Sequence, residues 1–208
     1  MISKEEYIEI YKMLDEVLPI NGDCGELCSA ACCQLDASYE QEFENENFEE
    51  DEEEADLGMY LLPGEEMVQD PEDPWLNMSE EDTADYDFPD SWPERTIFAK
   101  CSGPENCKRE KRPIQCRTFP LYPHITEEGE LALIYCDFEL PYLCPLIEKE
   151  TELNEDFILA TYSAWRRLIE EKSIFDLIRQ DSIAREEAGM GYRIVAYAVK
   201  KEAEKYEN

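Results

Sequence analysis

Between Met13 and Glu94 the chain holds 28 acidic residues and not one Lys or Arg. A stretch with that balance resists compaction by itself, because like charges repel and a large net charge opposes the compact state. The rest of the sequence sets 24 acids against all 19 basic residues, so most of the formal charge of −33 over 208 residues is regional. Acidity of this size repels phosphate backbones and anionic headgroups, which excludes nucleic acid and membrane surfaces as the main partner. The densest run, from Tyr39 to Asp56, shows no sustained apolar period and reads as a solvated part of an insertion spanning about 36–94. Its carboxylates suit Ca²⁺ or Mg²⁺ in kind, yet the ordered spacing of a calcium loop is missing. Its charge would instead fit a basic protein partner. With 43% apolar residues the chain can bury a core, and a single domain over 1–208 carrying that insertion is expected.

Ser3-Lys4-Glu5-Glu6 forms a capping box, and Tyr7, Ile10, Tyr11, Leu14 and Leu18 follow at helical spacing up to Pro19. No basic n-region with a long apolar run is present, and no 18-residue apolar span, which predicts a cytoplasmic chain. Residues 57–64 (LGMYLLPG) predict a short strand closed by a Pro-Gly turn, 70–93 a Pro- and Asp-rich loop, and Arg95 to Lys100 a strand. Pro123 to Thr126 and Leu131 to Cys136 flank Glu127-Glu128-Gly129-Glu130 as a hairpin would, and the lone histidine, His124, is expected on its surface. Two helices are expected from the apolar period around Phe157 to Ile169 and over Ile174 to Ala188, with a last one from about Tyr192 to Tyr206. The fold class is α+β and helix-rich, with C-terminal helices.

Nine cysteines stand in this chain, and four of them fall within ten residues: Cys24, Cys28, Cys32 and Cys33. Cys101, Cys107 and Cys116 form a second group, and Cys136 and Cys144 follow. A disulfide framework fits poorly with an odd count and a chain this long. Burial as small apolar residues suits Cys136, inside the run Leu131 to Tyr135, but not the clustered four. Thiolates repel one another unless a cation sits between them, so ligation of zinc or iron explains the clustering. On one straight helix Cys24 and Cys32 would lie roughly 12 Å apart at 1.5 Å per residue. The segment must therefore bend, with Gly22 to Gly25 the expected place, or its cysteines must serve more than one metal. A site of this kind is anionic and needs cations or amide donors nearby. Lys100, Lys108, Arg109, Lys111, Arg112 and Arg117 bracket the second group, so the two segments are expected to meet, unless those bases merely pair with the acidic insertion.

Cys24-x3-Cys28-x3-Cys32-Cys33, Cys101-x5-Cys107, Arg112-Pro113-x2-Cys116-Arg117-x-Phe119-Pro120 and Cys144-Pro145 together resemble the CxxCxxCC family of zinc- or iron-chelating proteins. The resemblance spans residues 24 to 145, and Arg-Pro-x-x-Cys-Arg-x-Phe-Pro is its most specific part. The gaps in the first cluster are three residues where the family name has two. The resemblance implies metal ligation by Cys24, Cys28, Cys32, Cys33, Cys101, Cys107, Cys116 and Cys144, with Cys136 as the extra. It also implies a different possibility for activity, since one branch is the flagellin lysine N-methylase, associated with an iron-sulfur cluster and S-adenosylmethionine.

The expected function is thus metal binding, with zinc or an iron-sulfur cluster as cofactor and no reaction specified. An iron-sulfur redox or methyl-transferring enzyme is the alternative from another class, although the eight glycines form no cofactor loop. An interaction module with a structural metal is the third reading. One histidine excludes zinc hydrolase sites built on two or three.

Overall fold

The structure is a computed structural model that describes residues 1–33, 58–73, 75–105, 107–137, 142–149, 151–189 and 191–197. The run Tyr39 to Asp56 lies outside the described residues, as does the expected helix beyond 197. The architecture is mixed α+β, with two three-stranded antiparallel sheets and helices packed against the second of them. Among the described residues no helix is long and apolar enough to cross a membrane.

Helix α1 (Lys4–Asp15) starts as its sequence dictates. The Ser3 side chain accepts from the Glu6 amide at 3.2 Å, and Glu6 returns the bond to the Ser3 amide at 2.9 Å. Tyr7, Ile10, Tyr11 and Leu14 are buried, while Leu18 lies beyond the helix end and is 37% exposed.

The first sheet has the order β1-β3-β2, from β1 (Gly58–Tyr60), β2 (Leu76–Asp82) and β3 (Arg95–Cys101). β1 and its turn match the sequence expectation, with Gly64 at φ +93° where a side chain would be strained. β2 falls within the segment expected to be a loop. Its acids and lack of β-branched residues hide it, but β3 is central and offers a second hydrogen-bonding edge that needs a partner. Arg95 pays for part of the charge there, pairing Glu80 at 3.2 Å across the register Glu80↔Ile97, Asp82↔Arg95.

The second sheet has the order β4-β5-β6, from β4 (Leu121–Ile125), β5 (Leu131–Tyr135) and β6 (Ile194–Tyr197). β4 and β5 are the expected hairpin, in register from Leu121↔Tyr135 to Ile125↔Leu131. β6 corrects the reading of a last helix starting at about Tyr192. Its residues Ile194-Val195-Ala196 pair the open edge of β5, Ala196 opposite Leu133 and Ile194 opposite Ile134, with a register irregularity between them. Helices α2 (Ile114–Thr118), α3 (Pro145–Glu148), α4 (Glu155–Leu168) and α5 (Lys172–Glu187) complete the fold, the last two within a residue or two of the expected spans.

The main core joins α1, α4, α5 and the second sheet, with Phe157, Trp165 and Leu168 at or below 1% exposure. Each such side chain contributes about 1.5–3 kcal/mol by leaving water. A smaller core of Leu61, Trp75, Leu76 and Ala99 lies under the first sheet, with Cys101 and Cys107 packed against it.

His124 is fully buried in β4, which corrects the expectation of a surface residue. Period-two alternation did not betray it, because four of the five β4 side chains are buried. Its Nδ1 lies 3.3 Å from Arg185 Nη1, its ring 4.4 Å from that of Tyr192, and its Nε2 3.5 Å from Glu186 Oε1. Burial and then the Arg185 charge hold His124 below the ordinary imidazole range, outweighing Glu186 and Asp137. The unfolded chain therefore takes up this proton more readily than the folded one. Stability is expected to fall as pH drops below about 6.5, the unperturbed value. Denaturant midpoints between pH 8 and 5 check this, and His124→Gln should flatten that part of the profile.

Candidate metal centre

The first cysteine cluster is not a helix. It consists of two short 3₁₀ turns, Cys24–Leu27 and Ala31–Cys33, with Asp23 capping the first by accepting from the Gly25 amide at 2.9 Å. The reversal between them comes at Ser29 and Ala30, with φ of 53° and 58°, not at Gly22 to Gly25 as expected. Gly22 does turn, at φ +102°, but it precedes the cluster. The reversal brings Cys28 within electrostatic reach of Cys32, whose sulfur sits 3.8 Å from that of its neighbour Cys33. Left-handed backbone at two consecutive residues with side chains costs of order 1–2 kcal/mol each. Hydrogen bonds from Ala30 N to Gly25 O at 2.8 Å and from Cys33 N to Ala30 O at 2.7 Å hold it.

Cys101, Cys107, Cys116 and Cys144 come from the end of β3, the segment ahead of Arg109, α2 and the cap of α3. Cys101 ends β3 opposite Leu76, where the amide of Gly103, at φ +88°, donates to its sulfur at 3.3 Å. Cys107 receives a hydrogen bond from Arg112 Nε at 3.1 Å. Cys116 lies on α2, and its thiol meets Met59 Sδ at 3.8 Å. Cys144 caps α3 with Pro145 at the first helical position, and the Ile147 amide donates to its carbonyl oxygen at 3.0 Å.

These thiols lie near one another. Cys116 is within electrostatic reach of Cys33, Cys107 and Cys101, and Cys24 and Cys144 are within reach of each other and of Cys28. Burial, followed by neighbouring sulfurs, pushes the Cys116 thiol up, and burial likewise raises Cys24, Cys101 and Cys144. Cys33 is the exception, held low first by the hydrogen bond from Cys32 and then by Arg112. Thiols so arranged cannot all ionise without a cation among them. None of the nine cysteines is in a disulfide. Among the described residues no three Cys, His, Asp or Glu side chains stand close enough, as placed, to grip one ion.

The basic residues divide between the two roles considered from sequence. Arg112 donates to Cys107 and lies within reach of Cys24, Cys33, Cys101 and Cys116. Arg109 reaches back to the Val17 carbonyl and is also near Cys24. Lys108 and Lys111 are instead taken by buried Asp73 in the acidic stretch. Arg117 turns inward, only 2% exposed, stacking on Tyr11 at 4.0 Å and bonding Asp15 and the Arg112 carbonyl. It therefore fixes the turn that carries Arg112 against α1. Cys136 is buried, and the Tyr142 hydroxyl group lies within electrostatic reach of Cys32, Cys136, Cys144 and Cys33. Sequence reasoning passed over Tyr142 and Met59, which left no local signal. No family model, curated protein or solved structure matches this chain.

Proposed function

We propose that this chain is a metal-binding protein whose cysteines Cys24, Cys28, Cys32, Cys33, Cys101, Cys107, Cys116 and Cys144 hold zinc or an iron-sulfur cluster. The observation that carries this reading is that thiols from residues 24–33, 101–116 and 144, far apart in sequence, lie within electrostatic reach of one another, with N–H donors aimed at two of the sulfurs. A buried group of small apolar cysteines would need no such donors, whereas metal-bound thiolates do. The metal would supply the cation that the sulfurs lack, and Arg112 would offset the remaining negative charge. Both zinc and iron-sulfur clusters take four thiolates each, so the donor set suits either.

Anaerobic purification followed by elemental analysis and a visible spectrum tests the reading. A colourless chain with stoichiometric zinc identifies the zinc form. Broad absorption near roughly 400 nm with iron and acid-labile sulfide identifies the cluster form. A reduced chain that carries neither, and takes up neither on reconstitution, would refute the proposal.

A further inference from the structure

We infer that Cys32 and Cys33 form a site of reversible oxidation, at which a low-molecular-weight disulfide of the glutathione class closes the two thiols into a bond between adjacent residues. This goes beyond metal binding, since the pair is oxidisable whether or not its sulfurs also serve as ligands.

The geometry of the turn carries the inference. Of the nine cysteines, all of them described, Cys32 is the exposed one, and its sulfur stands 3.8 Å from that of Cys33. Thiol–disulfide exchange needs an attacking sulfur with access to the oxidant and a second thiol within reach of the mixed disulfide. Cys32 supplies the first, and Cys33, half-buried beside it, supplies the second. Because the two residues are neighbours in the chain, closing the ring costs almost no loop entropy. Side-chain rotation has to bring the sulfurs from 3.8 Å to about 2.05 Å. The turn that carries them, Ala31–Cys33, buries none of its side chains and is held by local bonds such as Cys33 N to Ala30 O at 2.7 Å, so it can yield without disturbing either core.

The same adjacency makes the bond short-lived. Across a trans peptide the two Cα atoms are held about 3.8 Å apart, below the usual range of about 4.4–6.8 Å for a disulfide. Strain of that kind makes a disulfide easily reduced, the property of switching bonds and not of structural ones.

In the first step the Cys32 thiolate, its proton given to solvent, attacks one sulfur of the oxidant, and the other sulfur leaves as a thiolate. The Cys33 thiolate then attacks the Cys32 sulfur, forming the new bond and expelling the second thiolate. Both protein thiols thus give up a proton and an electron each, and the oxidant takes them up as a pair of thiols.

The test exposes the reduced full chain, as purified and again with a metal chelator added, to oxidised glutathione. The remaining thiols are alkylated and the chain is cut after its glutamates for mass spectrometry. Residues 27–40 then carry Cys28, Cys32 and Cys33 in one peptide. Under one or both conditions the first disulfide to form should lie in this peptide with Cys28 alkylated, and excess reduced glutathione should reopen it. Cys33→Ser should stop at a stoichiometric glutathione adduct on Cys32, whereas Cys28→Ser should oxidise like the wild type. Another pair linked first under both conditions, or a Cys33→Ser chain that gathers no adduct, overturns the oxidation site. Metal content of the untreated chain separates this result from the proposed function. A chain that holds zinc or iron but never links Cys32 to Cys33 overturns the oxidation site alone, and one that links them but takes up neither metal overturns metal binding alone.

Discussion

Removing the metal from the purified chain should release residues 24–33 while leaving α1 in place. The two 3₁₀ turns there bury none of their side chains, and only Cys24 touches the main core. Ser29 and Ala30 add left-handed backbone that favours opening. Against this stand a few turn hydrogen bonds, each worth about 1 kcal/mol net. On the proposed function, metal–sulfur bonds would be what holds the segment. A ligand present at a thousandfold excess over its Kd stabilises the folded state by about 4 kcal/mol. For a chain of this length each kcal/mol moves Tm by about 2–4 °C, so a strong chelator should lower Tm by about 10 °C. Hydrogen exchange should show lost protection at residues 24–33 and retained protection in α1, anchored by Tyr7, Ile10, Tyr11 and Leu14. Unchanged exchange in both, with the metal demonstrably gone, would mean that the segment is held by something else.

The second large effect is expected at Glu65, which no sequence argument singled out. Its carboxylate is wholly buried and accepts from the Tyr11 hydroxyl at 2.7 Å, the Ile114 amide at 2.7 Å and the Leu62 amide at 3.1 Å. Burial pushes this carboxyl up, while the donors and the Arg117 charge pull the other way. The residue ties α1 to the first turn of α2, the helix that carries Cys116. Glu65→Ala would strand three buried donors at about 1–3 kcal/mol each, so a loss of about 4 kcal/mol is expected in denaturant unfolding. Glu65→Gln keeps one carbonyl oxygen, enough for the two partners at 2.7 Å, and should lose about half as much. Both variants should keep the metal content per folded chain, since Glu65 touches no sulfur in its hydrogen bonds. A neutral effect of Glu65→Ala would show that water reaches the three donors.

Local signals carried most of what could be read without coordinates. The Ser3 box fixed the start of α1, the Glu-Glu-Gly turn fixed the β4–β5 hairpin, and apolar period placed α4 and α5. What escaped depends on partners distant in sequence. β2 exists because β3 has two edges, although it is rich in acids, and β6 because β5 has an edge to cover. His124 is buried because α5 brings Arg185 over it, which no local pattern records. At the cysteines, charge bookkeeping pointed to the meeting of the acidic cluster with the basic segment, and Arg112 is its instrument. The alternative considered beside it, pairing with the acidic insertion, holds for Lys108 and Lys111 at Asp73, whereas the burial of Arg117 against Tyr11 left no signal. The bend likewise fell at Ser29-Ala30, residues without the glycine signature of a left-handed turn.

The acidic stretch that first constrained the fold gains a second meaning from this arrangement. It contributes Cys24 to Cys33, Asp73 for two lysines and Glu65 for α2, so its anchoring to the basic segment is distributed over several contacts. The thiols lie at the centre of that junction, and their ligation of metal is the claim on which the account rests. X-ray absorption at the metal edge of the anaerobically purified chain reads it most directly. An all-sulfur first shell at about 2.3 Å is expected, lost in proportion when cysteines are replaced by serine. A first shell of oxygen and nitrogen at about 2.0–2.2 Å, unaltered by those replacements, would contradict it.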